Sequence, residues 1–257
     1  MLKFFKPFEE LKGSNKTAIL LGWLFLLFTL WTICSFVGET HLFPTMAQVF
    51  SGMADLWNEG LVVHILSSIW LCTQAVFVSI IISLIFCYLS PIPALKAIST
   101  SISKLRYLPL TGISFYIAIL LNDARAIQVW VLVVFMTTFL ITSILSMIKD
   151  IPQEEFDHAR TQGCTRWEML WEVVIKGRFD YIFELVRQNL AIVWMMLVTV
   201  ESILAAGGGI GFLIKNNDKL GDSGKVIALQ IIIVVLGLTL DFTLTKLRKL
   251  IFRYSNF

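Results

Sequence analysis

Two carboxylates, Glu201 and Asp241, are the residues of this 257-residue chain best placed to do chemistry, because each interrupts an otherwise apolar run. A carboxylate in such a run avoids lipid and is by default a hypothesis for a functional site. For Glu201 two interpretations stay open. It lies in a translocation path or outer gate together with Trp194 and Ser202, or it is structural and bonded to a neighbouring hydroxyl such as Thr199 or Ser202. Neither acid suits an anionic ligand.

Asp241 is followed by Lys246 and Arg248, which favours a structural ion pair over a ligand role. The remaining polar residues form no catalytic triad and no metal-ligand spacing. The histidines are scattered along the chain at His41, His64 and His158. The four cysteines are far apart, so we expect no metal site, no disulfide framework and no catalytic role.

The composition places these residues in a membrane protein. Hydrophobic residues make up 57% of the chain and charged residues 15%, whereas soluble domains carry about 25% charged residues. The mean hydropathy is +0.79. A soluble enzyme and a disordered chain are therefore excluded. The apolar residues come in several long runs, which indicates an all-α, multi-spanning protein.

Six runs are candidates for spanning helices, since one crossing needs about 20 apolar residues. They are Thr17 to Gly38, Gly60 to Leu95, Tyr107 to Asn122, Ala126 to Ile148, Gln188 to Ala206, and Val226 to Thr245. The second run is too long for one span, so its helix is predicted at about Ile69 to Leu89. Its lead-in, with His64, Ser67 and Ser68, is predicted to lie at the interface. The third run has only 16 residues and suits a thin bilayer or a protein-lined path.

An even number of spans puts both termini on one side of the membrane, and the basic residues indicate which side. With the N-terminus inside, 17 of the 21 Lys and Arg residues fall in inner segments. The positive-inside rule therefore predicts that both termini are cytoplasmic. The predicted organisation is a cytoplasmic segment over residues 1–16, a transmembrane domain over 17–250 and a cytoplasmic tail over 251–257.

The longest inner segment, residues 149–187, has little Gly, Ser or Pro and is predicted to form two short helices between helices four and five. Pro152 with Glu154 and Glu155 is typical of a first helical turn. After Gly163, a second amphipathic helix is indicated by Trp167, Leu170, Trp171 and Val174. From composition alone, a partner-binding helix and an interfacial helix lying on lipid are equally open.

The same segment resembles the signature loop of binding-protein-dependent ABC importer permeases. The family pattern is E-A-A, three residues, G, nine residues, I-x-L-P. Asp157, His158 and Ala159 stand at the E-A-A positions and Gly163 at the Gly. Val173 and Ile175 stand at the Ile and Leu, whereas Lys176 replaces the Pro.

Further residues resemble the nitrate, sulfonate, taurine and bicarbonate branch of this family over roughly residues 40 to 250. After the loop they are Tyr181-Ile182, Arg187, Trp194, Glu201-Ser202 and Gly208-Gly209-Ile210-Gly211. Before it, Leu42-Phe43-Pro44-Thr45 is followed by a predicted helix over Val49 to Trp57.

The resemblance implies a type I ABC importer permease in a bacterial-type inner membrane. It implies a second permease copy, separate ABC ATPase subunits that hold ATP and magnesium, and a periplasmic or lipid-anchored substrate-binding protein. No nucleic acid is expected, and no cofactor on this chain, which lacks G-x-x-x-x-G-K-[ST]. The implied ATPase-coupling residues are Glu155, Asp157, His158, Ala159, Arg160, Gly163, Arg166, Trp167, Val173 and Ile175.

The branch resemblance points to import of a small oxyanion or an organic sulfonate, with thiamine-precursor pyrimidines also possible. Two alternatives remain. A proton-coupled secondary carrier would use Glu201 or Asp241 as a relay. A non-transporting membrane scaffold would use the loop to recruit a partner.

Overall fold

The computed structural model describes residues 13–37 and 44–252, and every regular element in these residues is a helix. The N-terminal segment, His41 and the C-terminal tail beyond Phe252 lie outside the described residues. The helices are α1 (Gly13–Val37), α2 (Met46–Asn58), α3 (Leu61–Tyr88), α4 (Pro93–Lys104), α5 (Leu110–Leu120), α6 (Ala124–Lys149), α7 (Gln153–Thr161), α8 (Arg166–Met169), α9 (Phe179–Ile203), α10 (Ile210–Lys219) and α11 (Ser223–Ile251).

The six predicted apolar helices are all present within the described residues. Four of them, α3, α6, α9 and α11, are long and apolar enough to cross a membrane. The other two are the apolar stretch Thr17–Ile33 within α1 and the short α5. At 1.5 Å per residue α5 is only about 16 Å long. Two short helices, α4 and α5, both pack against α6. They are separated by a turn at Leu105–Tyr107 and by Pro109.

Local sequence explains where the helices begin. Thr45 and Gln48 form a capping box at the start of α2, where the sequence predicted a helix. The side chain of Asp123 accepts a hydrogen bond from the Ala126 amide and starts α6. Pro93 occupies the first turn of α4, where its missing N–H is no loss.

The second span differs from its prediction. α3 begins at Leu61, eight residues before the expected start, and its 28 residues extend about 42 Å. His64, Ser67 and Ser68 are therefore helical, and Ser68 is fully buried. The predicted start of the helix was wrong because contacts with α2 and α10 support α3 beyond the length that one crossing needs.

The fifth span also starts earlier than predicted. α9 begins at Phe179, so the inner segment that separates α6 and α9 covers residues 150–178 and does not extend to 187. Charged residues occur in the first turns of α9, and the helix tolerates them because they form ion pairs with each other. Glu184 and Arg187 form an i,i+3 ion pair at 2.6 Å.

The core of the bundle is the contact between α3 and α6. Small residues recur every fourth position along α3 at Ala75, Ser79, Ser83 and Cys87, and all are buried. Ser79 Oγ donates to the Val133 carbonyl at 3.2 Å, and Ser83 Oγ approaches the Thr137 carbonyl at 3.5 Å. Small side chains let two helix backbones approach closely, which is how helices associate without a hydrophobic driving force in lipid.

We expect Ser79→Leu to lower the free energy of unfolding of the purified chain by about 1–3 kcal/mol, because the added side chain forces α3 away from α6. Thermal unfolding in detergent measures the change. Ser79→Ala keeps the close approach and should cost much less. Thr73→Leu, on an exposed position of the same helix, is the control for added bulk. Equal stability of the two leucine variants would contradict the packing argument.

Candidate functional sites

The loop over residues 150–178 contains the two predicted helical segments. α7 ends at Thr161, and Gly163 then adopts a φ of +82°, which other residues rarely adopt. Thr165 caps α8, and its backbone N–H donates to Glu168 Oε2 at 2.7 Å. Hydrogen bonds from the Thr165 backbone and hydroxyl hold the pKa of Glu168 below its ordinary value. This turn therefore has a defined geometry.

The predicted single amphipathic face of the second segment is wrong. Trp167 and Trp171 are exposed, whereas Val173 and Val174 are buried. The reason is that Leu170–Lys176 continues α8 as a π-helix, with the Gly177 amide donating to the Glu172 carbonyl. A π-turn holds more residues than an α-turn, so the side chains change face along the segment.

An apolar cluster and an ion pair attach the loop to the long helices. Ile151, Ala159 and Val174 form a buried cluster against Ile148 at the end of α6 and Tyr88 at the end of α3. Arg178, directly before α9, donates to Glu155 on α7. The loop is therefore packed onto the ends of α3, α6 and α9.

The ten predicted coupling residues divide into two groups. One group holds the loop in place through Glu155, Ala159 and Val173, and Ile175 beside them is half-buried. The other group is on the loop surface: Asp157, His158, Arg160, Gly163, Arg166 and Trp167. Within the second group Arg160 pairs with Asp157 at 2.9 Å, and Trp167 is 66% exposed. The exposed group forms an apolar and charged surface on a firmly packed loop.

At the other end of α9, Glu201 is fully buried and hydrogen-bonded. Its carboxylate accepts from Ser68 Oγ at 2.7 Å and from the Gly211 amide at 2.9 Å. The Ile210 amide donates to the same Ser68 hydroxyl at 2.9 Å. The carboxylate thus joins α3, α9 and the N-terminus of α10, where its negative charge suits the helix dipole.

The predicted hydroxyl partners of Glu201 are wrong. Thr199 donates to the Met195 carbonyl, and Ser202 donates to the carbonyls of Val198 and Gly211. The hydroxyl that contacts Glu201 comes from Ser68, which sequence reasoning placed at the interface. Burial and hydrogen bonds from two other helices favour the structural interpretation of Glu201.

Two residues that the sequence did not single out surround the glycine-rich turn between α9 and α10, together with His64 from the lead-in of the second span. Arg125 donates to the carbonyls of Ser67 and Gly207, and Gln128 Nε2 donates to the Leu204 carbonyl at 2.8 Å. His64 Nδ1 accepts from the Gly209 amide at 3.3 Å. The signal in the sequence that could have indicated these contacts is the position of Arg125 and Gln128 at the start of an apolar run.

This turn depends on glycine and is not a phosphate cradle. A Cβ on Gly209 would overlap the Glu201 carboxyl group, and one on Gly211 would overlap the Val198 carbonyl. The amides of Gly209, Ile210 and Gly211 donate to His64, Ser68 and Glu201. These amides are therefore used within the chain.

A cavity of about 690 Å³ lies between α9 and α11. Trp194 lines it, whereas Glu201 and Ser202 do not, so the structure separates the three predicted path residues. The Trp194 indole donates to the Ile233 carbonyl at 3.1 Å. Asp241 lines the cavity near its charged end together with Arg187.

Asp241 forms an ion pair, as predicted, but with a different partner. Arg187 on α9 contacts it at 2.6 Å and also contacts Glu184. Arg248 pairs with Glu184 at 2.7 Å, and Lys246 lies over the Phe242 ring. Sequence proximity suggested Lys246 or Arg248, but adjacent helices bring Arg187 closer.

The described residues contain no group of three or more His, Cys, Asp or Glu that could hold a metal ion. The fold and these sites define a polytopic membrane protein with a loop packed onto the ends of its long helices.

Residues 18–253 match the family model described as binding-protein-dependent transport system inner membrane component, and the chain belongs to that family. It is 25% identical over 252 residues to the taurine transport system permease protein of Escherichia coli K12, covering 92% of this chain and 89% of that one. It is 27% identical over 106 residues to a bicarbonate transport system permease protein of Synechococcus elongatus, covering 41% and 38%.

Solved structures support the same fold. A crystal structure of an amino acid ABC transporter matches with a TM-score of 0.63 at 16% identity, covering 77% of this chain and 95% of that one. A bacterial importer of alginate matches with a TM-score of 0.60 at 15% identity, covering 92% and 98%. The chain is therefore a multi-pass transport subunit of an ABC importer, and the resemblance found in the loop is confirmed at the level of the family.

We expect Ser68 and Glu201 to be energetically coupled. Glu201→Ala leaves the Gly211 amide without its acceptor and should cost about 1–3 kcal/mol of stability. In a double-mutant cycle with Ser68→Ala, the coupling energy should be about 0.5–3 kcal/mol. Denaturant unfolding of the purified variants measures it. Thr199→Ala is the control partner, and coupling of Glu201 to Thr199 instead of Ser68 would refute the assignment.

Proposed function

We propose that two copies of this permease form the import path, and that each copy couples to one ATPase subunit through the loop over residues 150–178. The observation that carries the proposal is the construction of the loop. Its exposed surface includes Arg160 and Trp167, and its inner surface packs on α3 and α6. A partner that moves this surface would move the long helices with it, as a rigid body.

The orientation follows from the charges and from the length of α9. Glu201 lies 22 residues beyond the start of α9, about 33 Å along its axis, so the loop and the glycine-rich turn are near opposite membrane surfaces. The positive-inside rule favours a cytoplasmic loop and cytoplasmic termini. The turn would then face the substrate-binding protein, and ATP with magnesium would belong to the ATPase.

The named relatives suggest the substrate class. Their names refer to taurine, bicarbonate, nitrate and aliphatic sulfonates, all small anionic or zwitterionic solutes. We therefore propose a small oxyanion or organic sulfonate. Arg187 at the charged end of the α9–α11 cavity is already neutralised by Glu184 and Asp241. An anion passing this point would be held weakly, which transport requires, and selection would rest with the binding protein.

No observation favours the proton-coupled carrier. Glu201 is hydrogen-bonded by Ser68 and Gly211, and Asp241 is paired with Arg187, so each acid has a structural partner. A relay carboxylate would need access to water, and Glu201 has no exposed surface.

The docking test is purification of the tagged chain with its co-expressed neighbours in mild detergent. We expect one ATPase chain per permease chain in a complex with two of each. Gly163→Pro should abolish recruitment because proline cannot adopt the φ of +82° found there. Gly163→Asn is the matched control, since asparagine tolerates that conformation, and it should retain the ATPase.

A second pair of variants tests the docking surface. Trp167→Ser should weaken ATPase binding at least tenfold if Trp167 is an interface anchor. Trp57→Ser removes an equally exposed Trp from α2, 65% against 66% exposed, and should leave binding unchanged. A chain that retains no ATPase in any mild detergent, or binding that is insensitive to both Gly163→Pro and Trp167→Ser, would overturn the coupling proposal.

The substrate class is tested by ATP-dependent uptake into vesicles that contain the complete complex. We expect uptake of at least one compound among taurine, an alkylsulfonate, nitrate and bicarbonate, and no uptake of a neutral pyrimidine. Uptake that persists without ATP and collapses with the proton gradient would instead support the carrier.

A further inference from the structure

A cavity of about 320 Å³ lies where α4, the end of α6 and the second half of the loop meet. Its lining includes one basic residue from each of these three elements: Lys96 on α4, Lys149 at the end of α6 and Arg166 at the start of α8. We refer to it as the three-cation cavity. Its walls are largely apolar and include Ile148 and Leu170.

The charges of this cavity are unbalanced. No acidic side chain is among its described lining residues. Asp150 follows Lys149 in the chain, but it is exposed and does not line the cavity. The three cations are themselves exposed, so water screens their mutual repulsion, but an anion that entered the cavity would meet three positive charges and no negative one.

Neighbouring cations of the same loop behave differently. Arg160 pairs with Asp157, Lys176 with Glu172 and Arg178 with Glu155. By contrast, Lys96, Lys149 and Arg166 form no ion pair with any described residue. Each loop cation outside the three-cation cavity therefore has an acidic partner, and the cations that line the cavity have none among the described residues.

We propose that the three-cation cavity binds a phosphate group, carried by an anionic phospholipid or by free phosphate. Arginine offers planar paired N–H donors and lysine offers a compact charge, and both bind phosphate oxygens strongly. Basic pockets between membrane helices are a recurrent way of holding lipid headgroups. The apolar walls around Ile148 and Leu170 suit the glycerol and first methylene groups of a lipid.

A phosphate group in this position would bridge three elements that no ion pair joins among the described residues. It would connect α4 and α6 to Arg166, which begins the second half of the loop. Binding would therefore restrain the loop against the membrane helices. The regulatory consequence, a change in coupling to the ATPase, rests on the proposed function, whereas binding itself does not.

The test uses the purified, delipidated full chain and two probes. One is inorganic phosphate, titrated against chloride at matched ionic strength, with the thermal unfolding midpoint as the measurement. The other is phosphatidylglycerol offered together with phosphatidylcholine, with retained lipid quantified by native mass spectrometry. The variant carries Lys96→Gln, Lys149→Gln and Arg166→Gln. The control carries Lys104→Gln, Lys215→Gln and Lys219→Gln, which removes the same charge elsewhere.

We expect one probe to bind the unmodified chain and the control, and to bind the cavity variant about tenfold or more weakly. Retention of phosphatidylglycerol over phosphatidylcholine would identify a lipid headgroup as the source. Stabilisation by inorganic phosphate without lipid retention would identify free phosphate. Hydrogen exchange over residues 153–176 should slow with the bound probe. If the triple variant fails to fold, Lys96→Gln alone is compared with Lys104→Gln on the same helix.

The proposal is overturned if neither probe binds, or if the cavity and control variants lose binding equally. Because these measurements use the isolated chain, failure to find an ATPase partner would refute the proposed function and leave this result standing.

Discussion

A carboxylate with no access to water has to find its hydrogen-bond donors inside the protein, and Glu201 meets this requirement in a way that organises one end of the bundle. Its donors come from α3 and from the first turn of α10, so α3, α9 and α10 have one mutual arrangement in which the charge is satisfied. The cost of leaving such a group unpaired in a low-dielectric interior is several kcal/mol. Gly209 and Gly211 follow from this constraint, because any side chain there would displace the carboxylate or the Val198 carbonyl.

The same rule, that polar groups within a membrane are satisfied internally, explains the centre of the bundle. The Ser79 hydroxyl on α3 donates a hydrogen bond to the Val133 carbonyl on α6, and the small serine side chain lets the two helices lie close together. α9 and α11 use a different solution, in which Arg187 lies between Glu184 and Asp241. Packing of small residues therefore holds α3 to α6, and paired charges hold α9 to α11.

Periodicity and composition were enough to predict the helical class, the apolar segments and the loop with its break at Gly163. Helix ends were predicted less well. An apolar run indicates the segment that faces lipid, whereas a helix extends beyond that segment wherever contacts with other parts of the protein stabilise it. Ser68 and Phe179 are both examples, each lying in helix beyond the expected span. Partners across helices were missed for a related reason. Ser68 is 133 residues from Glu201 in the chain, so no local pattern could choose it over Ser202.

The position of α9 relates the two ends of the molecule. Arg178 and Glu155 attach its start to the loop, and Glu201 attaches its far end to α3 and α10. A helix held at both ends and joined to α11 by ion pairs is not free to slide independently. In the coupling proposed above, a displacement of the loop would reach the glycine-rich turn through α9 and α11, and Arg187 would move together with its acidic partners. Such a movement would leave no unpaired charge facing lipid at this point.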